Sequence, residues 1–441
     1  MLSLSKIVWL WSQPGHLILG SDGENYLNSL DGLLSDGFFS GVTNLHYWPA
    51  GYPILMWPLA EISYTYFPFI VGVFQILFYS LATFYFAIQL QVSKFNNIFW
   101  PMVMILSLNP TLALNAALIG YEVNVATTFL FAIGAFLKFS VRKDKSLWSR
   151  EIWFAAAVLA ISTFMQPRVS ILAFGFFVIW SIAHFRCGIA ILMILTTSAV
   201  VAIGPIVMMS RNQVAHGFLA VSTNLGTTMN IGAGPAASGG YTSKSFGVTC
   251  PKSEGNAAIV DSSKVRCILD WYVENPRQAS GLFLRKFTYH WSPWFGPLAN
   301  GTAGRSPWFQ KHPLRSFIKT EAGSEFVLGN PGKLISWGWI IGGLALMLSG
   351  TRALWRLKGH GQVFATLLFV PTILNAFTSL LTIGDHRFRI PTMTLSILLQ
   401  LFGAYALFSK RNFKAWAHTE LTPTWPGLNW KKKAEIDNLP S

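Results

Sequence analysis

Long apolar runs recur along this chain, and nothing else in it constrains the fold as tightly. A run of about 18 or more apolar residues is long enough to cross a hydrocarbon core roughly 30 Å thick. Read by apolar length, with the ends set by charge, nine helices fall near 67–90, 98–118, 122–140, 151–167, 169–185, 188–209, 333–350, 362–383 and 390–408. Composition agrees: 52% of residues are hydrophobic and 12% charged, against roughly 25% charged in soluble chains. The sequence describes an all-α polytopic membrane protein embedded in a lipid bilayer.

A formal net charge of +15 would suit a nucleic-acid partner, but the basic residues lie mostly in short loops between apolar runs. Lys94, the cluster Arg142, Lys143, Lys145 and Arg150, then Arg186, then Arg352, Arg356 and Lys358, and finally Lys410, Arg411 and Lys414 all fall on one side. An excess of Lys and Arg in short loops marks the cytoplasmic face, and no nucleic acid is expected. Residues 1–66, the turns at Gly120 and Pro167, the stretch 210–332 and the turn 384–389 then face outward.

The chain divides along these lines. Residues 1–66 form an N-terminal segment with a short first span and an external loop. Spans follow over 67–209, an external loop region over 210–332, further spans over 333–409, and a basic cytoplasmic tail over 410–441. The first segment, KIVWLWSQPGHLILG, is short and broken by Ser12, Gln13, Pro14, Gly15 and His16. It reads as an irregular first span or as the remnant of a chain that has lost an upstream one. Residues 24–37 place Tyr26, Leu27, Leu30, Leu33 and Leu34 at helical spacing, an amphipathic helix suited to a membrane surface. Pro276 opens a helix over 276–289, since proline is tolerated in a first helical turn. Cys250 and Cys267 both lie in the external stretch, where an oxidising compartment permits a disulfide. Cys187, beside Arg186, is expected to stay reduced.

The chain carries 18 acidic residues, and few of them sit at helix ends on the external side. Asp22 opens the amphipathic helix, where its simplest role is an N-cap; Glu24 completes a capping box with Ser21. Glu122 starts an external helix end among apolar neighbours, and a carboxylate at membrane depth is by default a functional candidate, with dipole stabilisation as the alternative. External cations accompany them: Arg168, Arg211, Arg285, Lys286, Arg387 and Arg389. Arginine binds phosphate bidentately, so an anionic lipid substrate would account for several at once; headgroup contact or pairing with Asp385 is the alternative. His46, His290 and His386 show no metal-ligand spacing, and neither a phosphate-cradling loop nor a dinucleotide fingerprint is present.

These residues occur in a familiar order. Asp22 with Tyr26 reads as D-x-x-x-Y on a surface helix. WPAGYP follows at 48–53, an N-P pair at 109–110 precedes Glu122, and Arg211-Asn212 precedes STNLG at 222–226. Asn275-Pro276 is followed by Lys286, and RFRIP closes the series at 387–391. Over roughly residues 20–410 this resembles the GT-C superfamily of membrane glycosyltransferases, particularly the branch of protein mannosyltransferases and the aminoarabinose transferase of lipid A. The resemblance implies a GT-C-like bundle of about nine to eleven transmembrane helices with extracytoplasmic amphipathic helices and loops. It implies a polyprenyl-phosphate-linked sugar donor and transfer of a hexose or pentose to an extracytoplasmic acceptor, whether glycan, lipid or protein. Asp22 is then the expected general base, with Glu122 as the second catalytic carboxylate. Arg168, Arg211, Lys286, Arg387 and Arg389 are expected on the donor phosphate, and Tyr26, His46, Tyr52, Asn212 and His386 on the substrate. No cofactor is firmly expected on this reading; a divalent metal is left open. A lipid-linked glycan flippase would use the same basic face, and an inactive relative kept for binding would keep the same fold.

Overall fold

The computed structural model describes residues 2–12, 22–93, 95–142, 146–240, 247–291, 329–357 and 359–408. All of the regular structure among them is helical. Near the N-terminus lie α1 (Leu2–Trp11), α2 (Gly23–Asp36), α3 (Thr43–Tyr47) and α4 (Gly51–Ile62). The first half of the bundle is α5 (Phe67–Val92), α6 (Phe99–Leu108), α7 (Pro110–Asn115), α8 (Glu122–Ser140), α9 (Arg150–Met165), α10 (Ser170–His184) and α11 (Cys187–His216). An outer layer follows with α12 (Leu225–Ile231), α13 (Ala257–Glu274) and α14 (Pro276–Trp291). The bundle closes with α15 (Gly329–Arg356), α16 (His360–Leu381) and α17 (Ile390–Phe408).

Among the described residues, six segments are long and apolar enough to cross a membrane: Phe67–Val92, Glu122–Ser140, Pro167–His184, Cys187–His216, His360–Leu381 and Arg387–Phe408. The protein is therefore a multi-pass helical membrane protein. Two more of the expected runs, α9 and α15, are also single helices. The run expected over 98–118 is not. It breaks into α6 and α7 at Asn109, whose ψ of 117° is the extended value that a following proline enforces. Asn109 Oδ1 then accepts a 3.0 Å bond from the Leu112 amide and restarts the helix.

α8 is the axis of the bundle. It is apolar on every side, and such a helix is stable only when surrounded by others; Lys138 is the one residue of α8 that is not buried. α5, α9 and α17 pack around it. The α15–α17 contact is closer still: a Cβ on Gly350 would lie 1.9 Å from the Leu399 carbonyl oxygen. Small residues permit this backbone approach, which supplies helix association where lipid offers no hydrophobic drive.

The two ends of α8, about 28 Å apart at 1.5 Å per residue, differ in chemistry. At its C-terminal end Glu151 pairs with Arg142 at 2.6 Å and Lys138 at 3.4 Å. At its N-terminal end lie α2, the turn before α17, and the outer layer of α12–α14. A disulfide between Cys250 and Cys267 ties the segment before α13 onto that helix. The amphipathic α2 buries Tyr26, Leu30 and Leu33, as its spacing predicts.

Candidate functional site

The N-terminal turn of α8 is held by a buried polar network. Gln75 on α5 donates to the Leu118 carbonyl at 2.6 Å and to Ala116 at 3.3 Å. Its Oε1 accepts from the Tyr52 hydroxyl at 2.9 Å and from Asn124 at 2.5 Å. The Tyr52 oxygen in turn accepts from the Gly120 amide at 3.0 Å, and Asn124 donates to the Gly120 carbonyl at 3.1 Å. Buried polar groups satisfied in this way specify one backbone conformation. They fix where Glu122 begins its helix.

Opposite this turn, the 3-10 segment His386–Arg389 precedes α17. Asp385 caps it by accepting from the Arg387 amide at 2.9 Å. The Arg387 side chain reaches two further carboxylates. Its Nε donates to Glu122 and its Nη2 to Asp22, so one guanidinium joins α2, α8 and the turn before α17. Asp22 occupies the N-cap position of α2, yet its side chain makes no capping bond; it faces Arg387 instead. Glu24 is exposed in the first turn of α2, and Ser21 lies outside the described residues.

Asp22 and Arg387 stand on the wall of a cavity of about 970 Å³. Its lining includes the polar residues Asn25, Asn44, Gln166, Arg168, Asn224 and Asp385, and the apolar residues Met229, Ile231, Val265, Leu269, Leu381 and Ile383. Arg168 is the cation best placed for an anion there. Its guanidinium lies 4.1 Å from the centre of the Phe388 ring and 5.8 Å from that of Tyr121. Its Nε and Nη2 atoms are buried and have no hydrogen-bond partner among the described residues. A buried donor left unsatisfied costs about 1–3 kcal/mol, and the aromatic faces offset only part of that. Tyr26 also lines the cavity. Burial, followed by the charge of Asp22, holds its hydroxyl well above the usual tyrosine range, so it stays a donor.

Four of the expected site residues thus meet at one cavity: Asp22, Tyr26, Arg168 and Arg387. Glu122 is 2% exposed and sits behind Arg387, off the cavity wall. The other cations expected on a phosphate are engaged by the protein. Arg211 donates to the Phe38 carbonyl at 3.0 Å, to Asn212 at 2.7 Å and to the Ser40 carbonyl. Lys286 is fully buried, and its three N–H groups go to the Tyr272 hydroxyl at 2.9 Å and the carbonyls of Leu380 and Thr382 at 2.8 and 2.7 Å. Arg389 is buried near Trp291, 5.7 Å from the ring centre, and does not line the cavity.

The expected substrate contacts divide in the same way. Tyr52 belongs to the network under Gly120. Asn212 donates to the Ala220 carbonyl at 2.7 Å and closes the chain turn after α11. His46 bonds Thr223 at 3.0 Å and meets His216 edge-on, with ring centres 4.3 Å apart. Burial, aided by His216 and Arg211, lowers its pKa to about 4. The backbone of His386 lies in the 3-10 turn; its side chain is outside what the structure describes. Among the described residues, no group of three or more His, Cys, Asp or Glu is placed to hold a metal ion.

Several cavity residues were not foreseen, among them Asn25, Asn44, Tyr47 and Trp48. Asn25 adjoins Tyr26 and Trp48 begins WPAGYP, so adjacency to those motifs was the available signal. Asp261 had none. Nothing in its local sequence sets it apart, and only the fold brings it to the Gly226 amide at 2.8 Å. Burial raises its pKa first of all, against the pull of that bond.

The fold and the cavity define a multi-pass helical membrane protein with a polar chamber, walled by carboxylate and arginine, at one end of its bundle. No protein family, curated protein or solved structure matches the chain.

Proposed function

We propose that the protein is an integral membrane glycosyltransferase that moves a sugar from a polyprenyl-phosphate-linked donor to an extracytoplasmic acceptor. The single observation that carries this reading is the shared cavity of Asp22 and Arg168. It sets a carboxylate and a cation with unpartnered donors in one chamber whose lining includes both polar and apolar side chains. A lipid-linked sugar phosphate carries both kinds of group.

In this reading the acceptor hydroxyl gives its proton to Asp22 as its oxygen bonds to the anomeric carbon. The bond from that carbon to the phosphate oxygen breaks, and the electron pair leaves with the phosphate. General-base assistance is typically worth 10²–10⁴-fold. The charge growing on the departing phosphate is met by Arg168, a donor held in place before the reaction begins, as such stabilisation requires.

The bundle is read as about nine to eleven spans with the chamber outward. Arg142, Arg150, Arg186 and Arg356 lie at helix ends remote from the chamber along the chain path, as a cytoplasmic face requires. The test is to supply radiolabelled polyprenyl-phosphate sugar to the purified protein in lipid nanodiscs. Release of polyprenyl phosphate with label on an acceptor, or on water, supports the transferase. A donor that stays intact, and is only translocated when the protein is placed in vesicles, overturns it in favour of a flippase.

A further inference from the structure

Glu122 has no place on the cavity wall, yet a great deal of structure is devoted to holding it. It is 2% exposed, and a carboxylate so placed is strongly unfavourable without a partner. Its partner is Arg387 Nε. The network of Tyr52, Gln75 and Asn124 fixes the turn that carries it. A side chain at Gly120 would press on that carboxylate: a Cβ would lie 2.7 Å from Glu122 Oε2.

We infer that Glu122 is a positioning residue that acts on Asp22 only through Arg387. This rests on the transferase reading above. With its Nε held by Glu122, Arg387 approaches Asp22 through Nη2 and reaches one oxygen, Oδ2. Among the described residues the other oxygen, Oδ1, has no hydrogen bond or ion pair, and it is the atom left to receive a proton. A guanidinium freed from Glu122 would be able to take both oxygens of Asp22 in the bidentate mode that arginine favours. The remaining charged and titratable groups about Asp22 are Tyr26 on its own helix, Tyr121 beside Glu122, and Arg168 and Asp385 across the cavity. Tyr26 and Tyr121 feel the charge of Glu122, but its hydrogen-bonded ion pair is with Arg387.

The experiment is a double-mutant cycle on turnover of a radiolabelled polyprenyl-phosphate sugar, using Glu122→Gln, Arg387→Gln and the double variant. Glu122→Gln is expected to lower kcat roughly tenfold or more while donor KM stays within about twofold. In the Arg387→Gln background the same change is expected to have an effect of less than about twofold. Gly120→Ala keeps every charge but displaces the Glu122 carboxylate, and it is expected to lower kcat in the same way. It serves in place of Glu122→Gln if that variant does not fold. Fold-changes that multiply across the cycle overturn the inference and make Glu122 act by itself. A rise in donor KM with unchanged kcat overturns it as well. Wild-type protein that leaves the donor unconsumed overturns the transferase reading and this inference together, whereas active wild type with a multiplicative cycle removes the inference alone.

Discussion

The guanidinium of Arg168 lies over the ring of Phe388, 4.1 Å from its centre, joining the segment before α10 to the turn before α17. The ring fixes the plane of the cation without using its N–H groups, and Nε and Nη2 have no hydrogen-bond partner among the described residues. Replacing Arg168 by Ala should lower kcat/KM for the donor roughly 10- to 100-fold, matching the about 1.5–3 kcal/mol of hydrogen bonds to charged groups. Lysine should restore only part of this, because it lacks the planar fork and stacks poorly. Steady-state kinetics over a donor series measures both, and unchanged kcat/KM in the alanine variant would remove Arg168 from the phosphate.

Asp22→Asn keeps the side-chain size but loses the capacity to accept a proton. Because the carboxylate makes no capping bond, α2 should survive the change, and turnover should fall by about 10²-fold or more. Glu24→Gln, on the exposed side of the same helix turn, should leave turnover nearly unchanged. Near-normal activity in Asp22→Asn would take the base away from this position.

Sidedness can be read by thiol labelling. Cys187 is the free, exposed cysteine among the described residues, so the background is Cys187→Ser. Ser262→Cys, on exposed α13, should react with a membrane-impermeant maleimide in intact cells. Ser146→Cys, between α8 and α9, should react only after the membrane is opened. The reverse pattern would place the chamber on the cytoplasmic face and sink the use of an external acceptor.

Burial lowers the pKa of Lys286 to about 7 from the ordinary 10.5. Between these values the unfolded chain binds more protons than the folded one, so the contribution of this residue to stability rises with pH. Below about 7 the amine is charged in both states and the slope vanishes. The melting temperature of wild type should therefore gain on that of Lys286→Met between pH 7 and 10, measured by thermal unfolding in detergent. Parallel curves across that range would show that the buried amine does not titrate there.

The helices were legible because a span needs little beyond length and apolarity, and α5, α8 and α17 fall where those criteria put them. The break at Asn109 was not, since an average over apolar residues passes across one proline that ends the helix locally. The chamber was legible where charge is scarce: Asp22, Arg168 and Arg387 are conspicuous in a chain with so few charged residues at helix ends. Sequence does not show which cations the protein uses itself. Arg211 and Lys286 look like Arg168 in their local context, but their partners are backbone carbonyls of Phe38, Ser40, Leu380 and Thr382. Only the packing of remote segments brings those oxygens near.

Asp22, Glu122 and Arg387 also stand in a temporal order. A chain is synthesised from its N-terminus, and its earlier parts begin to fold first. Both carboxylates are in place while Arg387, 365 positions after Asp22, has yet to leave the ribosome. Until the hairpin of α16 and α17 inserts, the nascent bundle holds two acids at the head of α8 with no counter-charge from the turn before α17. Insertion of that last hairpin brings the two acids their shared counter-charge and completes the chamber in one event, so a chain halted before α17 has the base but not the site.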